Sequence, residues 1–138
     1  MKILILCTGN SCRSQMAHGF LQSFSNNIDV YSAGTEPAKE VNQTAVKVMK
    51  EVGIDISQNQ PKNVEIYLHE VWDYVITVCD DANETCPIFS GNVRNRLHMS
   101  FKDPAHFKGT EEQIINEFRN TRDKIKVTFQ KFYKENLR

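Results

Sequence analysis

The sequence predicts an α/β fold, a four-stranded parallel sheet flanked by helices on both faces. Short apolar runs, such as residues 3–6, are typical of strands that are buried on both faces. Segments with apolar residues at three- and four-residue steps alternate with these runs, as amphipathic helices do. Because strands that alternate with helices are joined by right-handed crossovers, this order indicates a parallel sheet.

The first half of the chain contains two predicted strands and two predicted helices. Residues 3–6 form the first strand, and a helix begins near Ser14 after an intervening loop. A second strand covers residues 28–32 and is broken by Gly34 with Pro37. The second helix ends at Gly53, a residue that suits a helix C-terminal cap. Its apolar positions are Val41, Ala45, Val48, Met49 and Val52.

The second half continues the alternation. Residues 62–69 are predicted to form a third helix, although their periodicity is weak. Residues 74–78 form a buried strand that ends at Cys79, and residues 94–99 form a mostly polar fourth strand. A final helix runs from about Thr110 to the end, with apolar residues at helical spacing. In such sheets, ligands bind at the carboxyl ends of the strands.

Length and composition predict a single domain over residues 1–138. A chain of this size buries roughly two-thirds of its unfolded surface, so it needs no disulfide or metal to fold. The formal net charge is zero, which argues against nucleic acid or a membrane surface as a partner. Residues 3–6 are too few for a signal peptide or a membrane span, so we expect a cytoplasmic protein whose cysteines stay reduced unless they are catalytic. We also expect a monomer.

A loop between the first strand and the first helix carries the candidate chemistry. Residues 7–14, CTGNSCRS, combine a thiol, a turn and a guanidinium. Successive amides that lead into a helix N-terminus bind tetrahedral oxyanions, and the Arg13 fork can close over the same anion. Gly9 permits a tight turn and Asn10 tolerates left-handed dihedral angles. We name this segment the oxyanion loop, with Cys7 as nucleophile and the substrate-binding residues Thr8, Gly9, Asn10, Ser11, Cys12, Arg13 and Ser14.

The oxyanion loop by itself leaves two questions open. An isolated cysteine at a strand end is usually a small buried residue, but the Arg13-Ser14 pair between a strand and a helix favours a nucleophile. The loop does not distinguish an anion of phosphorus from an anion of arsenic. Cys12 is given no catalytic role and is expected to pack.

The pattern resembles a known family. An apolar strand followed by Cys7, five residues, Arg13 and Ser14 resembles the signature of the low-molecular-weight tyrosine phosphatase superfamily. Residues 7–17, CTGNSCRSQMA, are similar to the thioredoxin-coupled arsenate reductases built on that fold. The similarity spans nearly the whole chain, through the segments YSAG (31–34), DIS (55–57), VC (78–79), CPI (86–88) and DPA (103–105).

The resemblance implies that three thiols reduce arsenate to arsenite. Cys7 attacks arsenate, Cys79 attacks the Cys7 adduct and releases arsenite, and Cys86 attacks Cys79 to leave a disulfide. Thioredoxin supplies the reducing equivalents, and no bound cofactor is implied. A continuous helix would separate the Cα atoms of Cys79 and Cys86 by about 10.5 Å, whereas a disulfide needs less than about 7 Å, so this segment must bend or unwind.

Asp103 is the candidate general acid, chiefly because the resemblance places it. Pro104 stiffens its loop and favours extended dihedral angles for Asp103. His106 is expected to be a solvent-exposed loop histidine. The catalytic residues predicted from the sequence are therefore Cys7, Cys79, Cys86, Arg13 and Asp103.

The sequence departs from the family pattern at two places. Some of these reductases bind potassium behind the oxyanion loop through acidic side chains at the positions of His18 and Lys62, and a lysine would repel the ion. No metal site is predicted, and the cysteine spacing does not match a zinc site either. The phosphatases usually have proline after Arg-Ser and tyrosines after Asp-Pro, whereas this chain has Gln15 and the residues AHF (105–107).

Alternatives remain for function and for the electron donor. A phosphatase would use Cys7, Arg13 and Asp103 alone, because water resolves its cysteinyl-phosphate; phosphate or sulfate would compete with arsenate in either enzyme. A non-catalytic anion-binding or redox-sensing module would bind the anion without turnover. Thioredoxin is favoured over a glutathione–glutaredoxin system because an internal Cys79–Cys86 disulfide is what a dithiol donor reduces.

Overall fold

Four parallel strands form the sheet that positions the candidate site. The computed structural model describes residues 1–80 and 87–138. The strands are β1 (Lys2–Cys7), β2 (Asp29–Gly34), β3 (Val71–Thr77) and β4 (Asn92–His98), in the order β2-β1-β3-β4. All three neighbouring pairs are parallel, which confirms the predicted sheet. The mostly polar β4 lies at an edge, where its side chains are largely exposed.

The register brings the ends of β1 and β3 together. Leu6 of β1 lies opposite Thr77 of β3, and the Val78 amide donates to the Leu6 carbonyl at 3.0 Å. Cys7 is the next residue after Leu6, and Cys79 follows Val78. The two cysteines therefore leave the sheet at the same carboxyl edge from adjacent strands.

Three α-helices lie within the described residues, and two of them begin at a side-chain cap. They are α1 (Arg13–Ser23), α2 (Gln43–Lys50) and α3 (Glu111–Asn136). The Asn42 side chain caps α2 by accepting from two backbone amides, and Thr110 forms a capping box with Gln113 at the start of α3. Gly53 follows α2 with a φ of 82°, the left-handed conformation that suits glycine after a helix. The predictions for these helices are confirmed.

The third predicted helix, over residues 62–69, is wrong. The segment contains only one 3₁₀ turn, Val64–Tyr67, whose start is capped by the Asn63 side chain accepting from the Glu65 amide. Asn63 also bridges to Gly34 at the end of β2, and β3 begins at Val71, three residues earlier than expected. Because Asn63 is held by β2 and Val71 already belongs to β3, the few residues between them form one 3₁₀ turn instead of a longer helix.

The core lies on both faces of the sheet. Ile3 and Ile5 of β1 point to a large cluster that includes buried residues of α1, α2 and α3. Leu4 and Leu6 point to a smaller cluster with Trp72 on the other face, and the 3₁₀ turn packs against that cluster. Within residues 1–80 and 87–138, no helix is long and apolar enough to cross a membrane.

Candidate active site

Outside contacts fix the direction of the peptide groups in the oxyanion loop. The Thr8 carbonyl accepts from the Glu36 amide at 3.0 Å, the Gly9 carbonyl from the Ala38 amide at 2.9 Å, and the Ser11 carbonyl from the Asn42 amide at 2.8 Å. A trans peptide group directs its N–H opposite to its C=O. The amides of the same peptide groups belong to Gly9, Asn10 and Cys12. They therefore point away from the residues that bind the carbonyls and toward the inside of the loop, where an anion can accept hydrogen bonds from them.

Asn10 supports the loop from behind. Its φ of 51° is the only positive value outside glycine among the described residues, in agreement with the prediction that Asn10 tolerates left-handed dihedral angles. Its side-chain amide donates to Ser14 Oγ at 2.8 Å, and its Oδ1 accepts from the Lys62 amide at 2.9 Å. Gln15 Nε2 donates to the Asn10 carbonyl at 3.1 Å. Asn10 and Ser14 are fully buried, and these contacts stabilise the loop's shape.

Gly34 is the glycine on which the loop's position depends; the sequence analysis identified it as a strand breaker and as part of the YSAG segment, without this role. A Cβ at Gly34 would lie 2.3 Å from the Thr8 carbonyl oxygen, too close for any other residue. A Cβ at Gly9 would meet only Ser11 Oγ, at 3.6 Å, and Gly9 has no positive φ. The glycine of the YSAG segment, rather than the glycine of the loop, allows the close approach of the two backbones.

Arg13 connects the oxyanion loop to the candidate acid. The side chain is 3% exposed, and its Nη1 donates to the Phe101 carbonyl at 3.0 Å. Its Nη2 lies 3.9 Å from Cys7 Sγ and 3.5 Å from Asp103 Oδ2. One guanidinium therefore joins the predicted nucleophile to the predicted acid, and its permanent charge lies where an oxyanion would bind.

Asp103 lies on a short loop, residues 101–107, that we name the acid loop. Its Oδ1 accepts from the Ala105 amide at 2.9 Å, which caps the 3₁₀ turn Pro104–His106. His106 Nε2 lies 3.2 Å from Asp103 Oδ2. The Asp103 side chain is 19% exposed and the His106 side chain is 84% exposed, so the expected exposure of this histidine is confirmed.

The loops enclose a cavity of about 580 Å³ at the carboxyl edge of the sheet. Cys7, Arg13 and Asp103 all line it, together with the loop residues Thr8, Gly9, Ser11 and Cys12. Thr35, Glu36 and Pro87 also contribute to the wall, and sequence reasoning did not identify them. Thr35 and Glu36 directly follow the carboxyl end of β2, and Pro87 lies between β3 and β4. The sequence signal that could have indicated such residues is the general rule that ligands bind at the carboxyl ends of parallel strands.

The cysteines differ in state. Cys7 and Cys12 are both buried free thiols. Burial raises the pKa of Cys12 well above its ordinary value, so this thiol stays protonated at neutral pH. Cys79 is disulfide-bonded. Cys86 lies outside the described residues.

A second cavity, of about 250 Å³, lies behind the oxyanion loop. His18 Nδ1 is 2.9 Å from Ser32 Oγ there, and burial lowers the pKa of His18 to about 4, so the ring is neutral at pH 7. Lys62 also lines this cavity, and the described side chains around it include no carboxylate. These residues do not fit a cation. In the described ranges, no group of three or more His, Cys, Asp and Glu side chains could hold a metal ion.

Comparisons with known proteins agree with this geometry. The family model described as low molecular weight phosphotyrosine protein phosphatase matches residues 2–138. The arsenate reductase of Shouchella clausii is 47% identical over 131 residues, which cover 94% of this chain and 93% of that protein. A solved arsenate reductase in the phosphate binding state has a TM-score of 0.80 at 30% identity, with 97% of both chains covered.

A further similar structure is of a reductase that is named for its electron donor. The thioredoxin-dependent arsenate reductase of Corynebacterium glutamicum has a TM-score of 0.56 at 25% identity, covering 94% of this chain and 61% of that one. The fold and the cavity define an α/β protein that binds oxyanions above a buried thiol. The chain belongs to the low molecular weight phosphotyrosine protein phosphatase family, and the similar proteins named here are arsenate reductases. The resemblance read from the sequence is confirmed.

Proposed function

We propose that this protein reduces arsenate to arsenite, with Cys7 as the nucleophile and Cys79 and Cys86 as the resolving thiols. The pairing of β1 with β3 carries the proposal, because it brings the strands that precede Cys7 and Cys79 side by side. The similarity to an arsenate reductase over 94% of the chain favours arsenic over phosphorus. The disulfide at Cys79 supports a redox role for that sulfur.

The first step forms a bond between sulfur and arsenic. The amides of the oxyanion loop and the Arg13 guanidinium hold arsenate with its charge neutralised. The Cys7 thiolate attacks arsenic, and one arsenate oxygen leaves as water after Asp103 donates a proton to it. Asp103 is suited to this task because it lines the same cavity as Cys7 and lies 3.5 Å from Arg13 Nη2.

The second step reduces arsenic. The Cys79 thiolate attacks the Cys7 sulfur, a Cys7–Cys79 disulfide forms, and the arsenic–sulfur bond breaks with its electron pair on arsenic, which leaves as arsenite. The Cys86 thiolate then attacks Cys79 and releases the Cys7 thiolate. The two electrons given to arsenic are balanced by the final Cys79–Cys86 disulfide.

A dithiol protein must restore the three thiols. We assign this role to thioredoxin, since a thioredoxin-dependent arsenate reductase shares the fold. No bound cofactor is needed. The enzyme works as a monomer of one domain, residues 1–138, in the cytoplasm, where disulfides are reduced. Phosphate and sulfate compete with arsenate for the oxyanion loop because they share its tetrahedral shape.

The overall activity is tested with purified protein, thioredoxin, thioredoxin reductase and NADPH. NADPH oxidation should depend on arsenate, and the variant Cys7→Ser should abolish it. Phosphate in place of arsenate should give no oxidation, because phosphorus is not reduced by thiols. NADPH oxidation that does not depend on arsenate would exclude the proposed reaction.

The order of the thiols is tested by trapping. After one equivalent of arsenate, Cys86→Ser should accumulate a Cys7–Cys79 disulfide, identified by peptide mass mapping. The double variant Cys86→Ser/Cys12→Ser is the matched control and should trap the same disulfide, because Cys12 is not part of the cascade. Full steady-state turnover by Cys86→Ser would remove Cys86 from the mechanism.

Phosphatase activity is a second candidate, favoured by the family model and by the Cys7, Arg13 and Asp103 set around one cavity. It needs no second thiol. If this activity dominates, hydrolysis of a phosphotyrosine peptide should be robust and unchanged in the double variant Cys79→Ser/Cys86→Ser. Hydrolysis that is slow compared with arsenate reduction assigns the main function to the reductase.

A further inference from the structure

Asp103 is contacted by two cation-forming side chains at the same oxygen. Arg13 Nη2 lies 3.5 Å and His106 Nε2 lies 3.2 Å from Asp103 Oδ2. The other oxygen, Oδ1, accepts from the Ala105 amide. Arg13 carries a fixed charge and cannot give up a proton in a protein. His106 is therefore the only one of these three partners that can exchange a proton with the carboxyl group.

The two residues differ in their access to water. The Asp103 side chain is 19% exposed inside the cavity, whereas that of His106 is 84% exposed at its edge. An imidazole ordinarily gains and loses its proton near neutral pH, which suits it to shuttle protons. Among the described residues, the other ionisable side chains that share this cavity are Cys7, Cys12, Arg13 and Glu36.

We propose that His106 is a positioning residue that relays protons from bulk water to Asp103. This inference rests on the proposed function, in which Asp103 gives a proton to the leaving arsenate oxygen and becomes a carboxylate. Before this step, the His106 imidazolium transfers its Nε2 proton to the Asp103 carboxylate at Oδ2 and becomes neutral, so Asp103 has a proton to give within the same turnover. Water or buffer returns a proton to the ring, so each turnover consumes one proton from solution through this path.

The test is a single-turnover measurement with reduced protein in excess over arsenate, which separates the chemistry from reduction by thioredoxin. His106→Gln should lower the rate constant of arsenite formation about five- to tenfold. The arsenate concentration that gives half the maximal rate should change less than about twofold, because His106 acts on the acid and not on the anion. Added imidazole, at constant pH and ionic strength, should restore the rate in proportion to its concentration.

The matched control is His69→Gln, an exposed histidine that lines no part of this cavity. It should retain the wild-type rate and show no response to imidazole. A merely structural role of His106 would lower the rate of His106→Gln without rescue by imidazole, and that result overturns the relay. A wild-type rate for His106→Gln overturns it as well.

Asp103→Asn separates this inference from the proposed function. It should slow arsenite formation about a hundredfold. The double variant Asp103→Asn/His106→Gln should be no slower than Asp103→Asn and should not respond to imidazole, because His106 acts through Asp103. If Asp103→Asn forms arsenite slowly but His106→Gln forms it at the wild-type rate, the relay alone is excluded. If Asp103→Asn forms arsenite at the wild-type rate, both the acid role of Asp103 and the relay are excluded, while the NADPH assay still tests arsenate reduction.

Discussion

The oxyanion loop and the acid loop meet at Arg13, yet they are held in different ways. Three carbonyls of the oxyanion loop accept bonds from amides of residues 36–42, and its supporting side chains Asn10 and Ser14 are fully buried. The acid loop is anchored by the buried side chains of Phe101 and Pro104, but His106 projects into solvent. The difference follows from their tasks.

An anion cradle works through several donors that converge on one point, so a small shift of the backbone weakens all of them. A general acid acts through one proton and must exchange that proton with water in each cycle. The structure therefore encloses the oxyanion loop in backbone contacts and leaves the acid loop at the rim. Substitutions that loosen the oxyanion loop should therefore lower the free energy of unfolding far more than substitutions in the acid loop.

The largest effect is expected for Gly34→Ala. The added Cβ would lie 2.3 Å from the Thr8 carbonyl oxygen, so the oxyanion loop must move away from β2. The free energy of unfolding should fall by about 3 kcal/mol or more, as for a severe overpacking substitution. Urea unfolding monitored by circular dichroism measures it.

Gly9→Ala is the matched control, because a Cβ there meets only Ser11 Oγ at 3.6 Å. It should change the free energy of unfolding by less than about 1 kcal/mol. Equal losses in the two variants would mean that β2 does not set the position of the loop.

Asn10→Ala should have the next largest effect. It removes bonds with Ser14 Oγ and the Lys62 amide and places alanine at a φ of 51°. We expect a loss of about 2 to 3 kcal/mol in the free energy of unfolding. Asn10→Gly restores the backbone freedom but not the side-chain bonds, so its loss should be about 1 kcal/mol smaller. If Asn10→Gly is as stable as the wild type, the side-chain bonds contribute nothing.

His18 tests the region behind the oxyanion loop through pH. Burial lowers its pKa to about 4, so between about pH 6.5 and pH 4 the unfolded chain takes up a proton that the folded chain does not. This group's contribution to stability is therefore lost as pH falls. From about pH 7 to pH 5 it should lower the free energy of unfolding by about 2 kcal/mol.

His18→Asn should remove this part of the pH dependence, measured by urea unfolding at both pH values. Ser32→Ala is the control: it removes the partner of His18 but keeps the imidazole, so the pH dependence should persist. An unchanged difference between the two pH values in His18→Asn would show that the ring does not remain neutral in the folded chain.

The smallest effect is expected in the acid loop. Pro104 is buried at the start of the 3₁₀ turn that Asp103 caps. Pro104→Ala should lower the free energy of unfolding by only about 1 kcal/mol, since it mainly releases backbone freedom in the unfolded chain. Lys102→Ala, an exposed neighbour, should change it by less than about 0.5 kcal/mol. A loss for Pro104→Ala as large as that for Gly34→Ala would contradict the contrast between the two loops.

Local features of the sequence predicted much of the fold. The apolar run of β1, the helical spacing of α1 to α3 and the glycine cap at Gly53 each act within a few residues, so they can be read without the rest of the chain. The helix predicted over residues 62–69 failed for the opposite reason. Its conformation is set by the bridge from Asn63 to Gly34, a contact from a distant strand.

The sequence by itself determined the parts of the site whose chemistry is local: a thiol, turning amides and a guanidinium on one strand-to-helix loop. The tertiary structure decided which groups from elsewhere meet them. The strand order places the chain leading to Cys79 beside that leading to Cys7, Gly34 allows β2 to approach Thr8, and Arg13 contacts Asp103. Each of these features brings together residues far apart in the chain, and only the packing of the sheet and its loops places them side by side.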